Sequence, residues 1–418
     1  NRVVAMHRSV IWSVAVGFAI VVGLASFSVA NQLTRPVAAL LLGFPAAANA
    51  GGELAARTFG VRQRLDPESA VTANERRLAL RAYRAEPLSP ASLSILIAAR
   101  DGDVAQRQEL LDLASRLSRR NSYVGTQQIN AAAERGDNGV FFLWLSRLTL
   151  TNSDLRPTLI NAMADATSRD GAVAALEPVL ESDPRWADAY WEAVVQRRQS
   201  LVNAALLRMR IARKHSTQRE ISQSDKSLSV GLARIGAFET ARRLYAALTG
   251  SDMASASGDV LQNSNFSRIP LLPPFDWQLA MTGTLGASID TTARNLTISA
   301  IGGSRGYAAR QLVQLMPGRY RVAWEETSIS PNPSGGLSVR ISCADTGKRS
   351  MAIDPIEVAR PKDVQPVIIP DGACKWYWFA LHVDLPDDSP GIDTSFSRLS
   401  ISREEKVAVG KGSKTNAG

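Results

Sequence analysis

Glycine marks a period in the first half of this chain. Gly102 in "ARDGDVA", Gly136 in "AERGDNG", Gly171 in "SRDGAVA" and Gly236 in "ARIGAFE" stand 34, 35 and 65 positions apart, and Asn203 in "SLVNAAL" falls in the slot that divides the last interval. Eight and nine residues after each marker come apolar pairs: Leu110–Leu111, Trp144–Leu145, Val179–Leu180, Ile211–Ala212 and Leu244–Tyr245. A period of about 34 residues belongs to stacked pairs of helices, because a single hairpin cannot bury its apolar face alone. The expected role of the glycine is close helix approach at the turn within each hairpin, where a side chain would hold the helices apart. Residues 66–250 agree, being rich in Ala, Leu, Arg and Glu with helical periodicity.

Within that stretch, "LARIGAFETARRLYAAL" (232–248) carries Gly236, Phe238, Ala241 and Tyr245 in the order of a tetratricopeptide repeat, which it resembles. "LEPVLESDPRWADAYW" (176–191) is similar to that family's inter-repeat junction, and "RAEPLSPASL" (84–93) looks like another. Gly139 and Leu176 depart from it, standing where the family has alanine. The resemblance implies a helical solenoid over 66–250 whose concave face binds a protein or peptide. Trp144, Trp186, Tyr190 and Trp191 share helical spacing with aliphatics, as core residues do. Residues 185–220 hold eight basic side chains against three acidic ones. Arg208, Arg210, Arg213 and Lys214 are the candidate basic groove there, against the alternative of a solvated helix face.

Near 251 the pattern changes. A small-residue linker (251–258) gives way to short alternating runs with turn signals between them, over 277–281, 295–301, 307–315, 320–327, 337–343, 364–369, 375–383 and 396–402. That many short strands predict an all-β sandwich or jelly roll over 259–404. The tail 405–418 is basic and Gly-rich and is expected to be disordered. "LQNSNFSRIPLLPPFDWQL" (261–279) and "QLVQLMPGRYRVAWEE" (311–326) resemble jelly-roll carbohydrate-binding modules. The resemblance implies a sandwich, and a sugar site only where aromatic rings stay exposed.

"CKWYWFALHV" (374–383) tests that condition. Alternation sends Tyr377, Phe379, Leu381 and Val383 to one face and Trp376, Trp378 and Ala380 to the other. If the first set fills the core, Trp376 and Trp378 lie outside, either covered by a neighbouring element or available to a ligand. With Trp324, Arg321 and Arg340 they are the candidate glycan or partner contacts.

The address comes from residues 10–30, which carry no charge over 21 positions and are long enough to span a bilayer. Arg2 and Arg8 precede the run, so the positive-inside rule puts residues 1–9 in the cytoplasm and the bulk outside. A retained anchor and a cleaved signal peptide ending near Ser28-Val29-Ala30 both remain open, and both export the remainder. Segment 31–65 begins with an apolar stretch (36–52) broken by Pro36, Gly43 and Pro45; it suits an interfacial helix, a membrane-partner contact, or packing on the first repeat. Only two cysteines occur, Cys343 and Cys374, and in an oxidising compartment one disulfide is the natural pairing.

At 418 residues the chain has room for two or three domains. Its net charge of +9 favours anionic partners, and the exported address argues against nucleic acid. No metalloprotease, phosphate-loop, dinucleotide or nucleophile-elbow motif occurs, and Glu325 and Glu326, adjacent on a strand, point to opposite faces. No enzyme, cofactor or metal site is therefore expected. Solenoid-plus-jelly-roll combinations resemble accessory proteins of bacterial surface-polysaccharide assembly. The expectation is a single-pass inner-membrane, periplasmic binding scaffold with protein partners through the solenoid or membrane helix, and polysaccharide as a further ligand. The alternative is a structural or assembly subunit of an inner-membrane complex.

Overall fold

Fourteen helices precede ten strands in the computed structural model, which describes residues 2–44, 47–66, 68–99, 104–117, 119–214, 220–250, 259–327, 336–345, 353–372 and 374–404. Gly102 and the expected linker and tail fall outside those residues. The helices are α1 (Arg2–Asn31), α2 (Pro36–Leu41), α3 (Asn49–Leu65), α4 (Ala73–Ala85), α5 (Pro90–Ala98), α6 (Val104–Leu117), α7 (Ser122–Glu134), α8 (Asn138–Thr151), α9 (Arg156–Ala166), α10 (Ala172–Glu181), α11 (Ala187–Val194), α12 (Leu201–Lys214), α13 (Gln223–Arg234) and α14 (Phe238–Thr249). The strands are β1 (Gln278–Leu279), β2 (Leu285–Asp290), β3 (Asn295–Ala300), β4 (Arg305–Gln314), β5 (Gly318–Glu326), β6 (Leu337–Cys343), β7 (Ile356–Glu357), β8 (Lys362–Ile369), β9 (Trp376–Asp384) and β10 (Ile392–Arg403). The chain divides into two compact units, Asn1–Tyr190 and Trp191–Gly418. The division falls inside α11 and not at the small-residue stretch after 250, so α12, α13 and α14 belong with the sandwich.

In the first unit, α1 is the one described helix long and apolar enough to cross a membrane; Val14–Asn31 is its most apolar window, and nearly all of it is exposed. After it the chain turns back: Ser28 Oγ donates to Ala39 O at 3.0 Å, and Ala39, Ala47 and Ala50 form a small core with Leu40 alongside. Val37 and Leu41 stay exposed. The segment 36–52 thus packs through its small residues and shows its large ones. Helix starts follow their caps. Thr72 and Glu75 form a reciprocal capping box for α4, and Ser89 with Pro90 opens α5.

The glycine markers sit in turns, for a reason other than the expected one. Gly136 and Gly236 link α7 to α8 and α13 to α14 with φ of 69° and 79°, and a Cβ on either would meet nothing within 4 Å. They supply left-handed backbone, not close approach. Close approach occurs inside helices: a Cβ on Gly125 of α7 would lie 2.5 Å from Leu148 Cδ2 of α8. Asn203 marks no turn, since it lies within α12. Trp144, Trp186 and Tyr190 are buried as their spacing predicts.

In the second unit two antiparallel sheets face each other, ordered β1–β4–β9–β6–β7 and β2–β3–β10–β5–β8. Tyr377, Phe379, Leu381 and Val383 point inward from β9, at the centre of the first sheet, and share a core with Leu296, Ile298, Val322, Trp324, Phe396 and Ile401 from the second. Asp259 closes the entrance, its Oδ1 accepting the Leu261 and Ile401 backbone N–H groups, each at 3.1 Å. The Asn263–Phe266–Trp277 element is internal: Phe266 and Trp277 are buried, and Trp277 Nε1 donates to Asn263 O at 3.1 Å. Cys343 and Cys374 form a disulfide with Cα atoms 5.7 Å apart, tying the end of β6 to the start of β9.

Candidate functional site

The outer face of the β4–β9–β6 sheet is read in rows across the strands. Arg310, Ala380 and Arg340 align, then Leu312, Trp378 and Ser342, and on the other side Tyr307, His382 and Ser338. Alternation along β9 puts Trp376, Trp378, Ala380 and His382 on this face, as its sequence predicts.

Half of that face is covered. The Trp376 ring lies 6.0 Å from Phe238 of α14 and 5.8 Å from Phe275, while Tyr245 of α14 stands 5.8 Å from Phe275. Trp376 is consequently buried and offers no surface to a ligand. Trp324 is unavailable for another reason: it sits in the sandwich core and gives its indole N–H to Arg360 O at 2.8 Å. Arg321 is exposed but belongs to the opposite sheet, where its Nε donates to Glu404 Oε1 at 2.8 Å. Of the five predicted contacts, only Trp378 and Arg340 share the open face.

Tyr307, an aromatic behind the leading tryptophans in the sequence, and Arg310, which was not predicted, complete it. The Arg310 guanidinium lies 4.0 Å from the Tyr307 ring centroid and 4.2 Å from that of Trp378, and Nε donates to Gln278 Oε1 at 2.8 Å. A register shift between Tyr307 and Ala309 makes this possible. Three apart, Tyr307 and Arg310 would face opposite ways in a regular strand; the bulge brings them to one side. Burial against the rings pulls the Arg310 guanidinium below its ordinary pKa, with Tyr307 acting the other way. An arginine so placed is still a cation at neutral pH.

Around this stack, Arg340 Nη2 lies 4.0 Å from Asp384 Oδ2, and Arg305 Nε lies 3.3 Å from Asp384 Oδ1. Arg340 Nε and His382 Nδ1 are buried without a hydrogen-bond partner among the described residues. Burial first, and then Arg340, hold His382 below its ordinary pKa, while Asp384 opposes them. Cys343, Asp345 and Cys374 present three ligand-type atoms together, but both sulfurs are committed to the disulfide.

The predicted basic groove loses its first member. Arg208 is buried and bonds Asp225 through both carboxylate oxygens at 2.8 and 3.0 Å, with Nη2 also donating to Glu220 O at 3.1 Å. Its charge is consumed in anchoring α12 to α13. Arg210, Arg213 and Lys214 are exposed on α12. Glu325 and Glu326 are engaged separately, Glu325 by Lys362 at 2.7 Å and Glu326 by the Thr394 hydroxyl.

The first unit has a concavity of its own, a cleft of about 400 Å³ where α3, α5 and α7 meet. Phe59, Ile95, Tyr123 and Leu155 line it together with the Gln63, Gln127 and Asn130 amides.

No family model matches the chain, and no curated protein matches it. A solved structure of the carbohydrate-binding module TmCBM61 in complex with beta-1,4-galactotriose aligns with 35% of this chain and 99% of its own, at 13% identity and a TM-score of 0.23. Similarity at that level carries nothing about ligand, so the face has to be judged by its own side chains.

Proposed function

We propose that this chain is a membrane-anchored, non-catalytic binding scaffold of a bacterial cell envelope, serving polysaccharide assembly. The observation that carries the reading is the Tyr307–Arg310–Trp378 stack: a cation and two rings, half-exposed on a sheet face, with no carboxylate partner for Arg310 among the described residues. Such a pairing of flat apolar rings with fixed hydrogen-bond donors suits a saccharide. The exposed apolar α1 supports the anchor, and the disulfide supports an exported, periplasmic address. In the helical half, tetratricopeptide-type hairpins would hold a protein partner; the left-handed turns at Gly136, Gly171 and Gly236 and the amide-lined cleft support this. Affinity electrophoresis of the detergent-solubilised chain against envelope polysaccharides tests the reading. Retardation that is lost in Trp378→Ala is expected, and unretarded migration in every polysaccharide would overturn it.

A second reading draws on α1 and α2, whose large side chains Phe18, Ile20, Leu24, Val37 and Leu41 are exposed. On this reading the chain is an assembly subunit held to an integral membrane partner. Purification in mild detergent would then recover a stoichiometric second chain, and a lone monomer would count against it.

A further inference from the structure

Stacking limits what Arg310 can do. Its guanidinium lies against Tyr307 and Trp378, and Nε is taken by Gln278, so the Nη hydrogens are what it has left to give. A guanidinium edge offers paired donors spaced for the two oxygens of a carboxylate. Arg340 stands two strands away across Ala380, roughly 10 Å between Cβ positions at the usual strand spacing. That separation suits successive charges on a polymer better than one small anion. Among the described residues no carboxylate pairs with Arg310: Asp384 is shared between Arg305 and Arg340, the latter at 4.0 Å, and Glu357 is on β7 at the sheet edge.

We propose that the Arg310 edge is a carboxylate subsite, with Arg340 as its second contact, and that the sandwich binds an acidic polysaccharide of the polyuronate class. The inference rests on the glycan-binding reading above and names the ligand's chemistry. Tyr307 and Trp378 are positioning residues in this account: they hold the guanidinium between them on the sheet face. The low-dielectric rings strengthen its pairing with an anion.

The test uses the full chain in mild detergent, titrated with polygalacturonate, with the same polymer fully methyl-esterified, and with a neutral galactan. Phosphatidylglycerol vesicles form a fourth arm. Polygalacturonate is expected to bind, with the ester at least tenfold weaker. Arg310→Lys keeps the charge but loses the planar fork, and should weaken polygalacturonate binding roughly tenfold. Arg340→Gln should weaken it severalfold, and Arg321→Gln, on the opposite sheet, should leave it unchanged. Equal binding of acid and ester would overturn the carboxylate subsite while leaving the glycan reading intact. Binding to no polysaccharide would overturn both. Equal losses from Arg340→Gln and Arg321→Gln, each of which removes one charge, with none from Arg310→Lys would reduce the effect to net charge, and vesicle binding that displaces polygalacturonate would assign the face to anionic lipid. Melting curves check the fold of each variant, and if Arg310→Lys melts early, Arg340→Gln against Arg321→Gln decides.

Discussion

Phe238 on α14 holds its ring 6.0 Å from that of Trp376 on β9, and with Phe275 this contact separates two tryptophans that share a strand face. Trp376 is sealed beneath the helix, while Trp378, two residues on, remains half-exposed beside Arg310. Trp376→Ala should therefore cost about 3–5 kcal/mol of stability, as large buried aromatics do, and Trp378→Ala much less. Denaturant titration followed by circular dichroism measures both. A double-mutant cycle with Phe238→Ala should show coupling of about 0.5–3 kcal/mol; strict additivity would mean that the helix does not cover the ring.

Arg208 and Asp225 are both buried, and Asp225 also caps α13 through Ser222. Removing one partner strands the other without a counter-charge. Arg208→Ala is expected to destabilise the second unit by about 3–5 kcal/mol, whereas Arg210→Ala, on the exposed side of the same helix, should stay within about 0.5 kcal/mol. Equal, small effects in chemical denaturation would refute the assignment of Arg208 to structure.

The disulfide closes a loop across 31 positions. Loop-closure entropy for a ring of that size is worth about 3–4 kcal/mol. Cys343→Ser with Cys374→Ser should lower the sandwich's unfolding free energy by that order, and reductant should do the same to the native chain. A reductant-insensitive melting curve would contradict it.

His382 gives the sandwich a pH dependence of definite sign. Burial, reinforced by Arg340, holds its folded pKa below the ordinary 6.5. Between the folded value and 6.5 the unfolded chain binds more protons, so stability is complete above that window and is lost as pH falls through it. His382→Asn should flatten the wild-type decline as pH falls below 6.5, read from denaturation midpoints at each pH. An unchanged slope would place the titrating group elsewhere.

Much of this fold was legible in the sequence because local rules sufficed. The helix-to-strand switch and the inward set on β9 follow from periodicity, and the pairing follows from there being two cysteines in the sequence. Edge strand β2, "LGASID", was missed because small residues and glycine give it little alternation. Arg310, and its meeting with Tyr307, were missed because a bulge breaks the period that sequence reasoning must assume. Trp324 and Arg208 were misassigned, and Trp376 was left between cover and exposure, for a different reason. What buries each of them lies far along the chain or across the core, and no local pattern announces a tertiary partner. Gly136 and Gly236 were placed at turns correctly, but whether a glycine is chosen for φ or for space depends on neighbours that only the fold supplies.

The contact between α14 and the sheet has a consequence for inheritance. If a recombination event cut the chain near residue 251, the transplanted sandwich would carry Phe275 and Trp376 bare into solvent. A cut near residue 191 would keep both rings roofed. The unit that keeps these aromatics covered is therefore three helices plus a sandwich, and any descendant that discards the helices must first replace two aromatics.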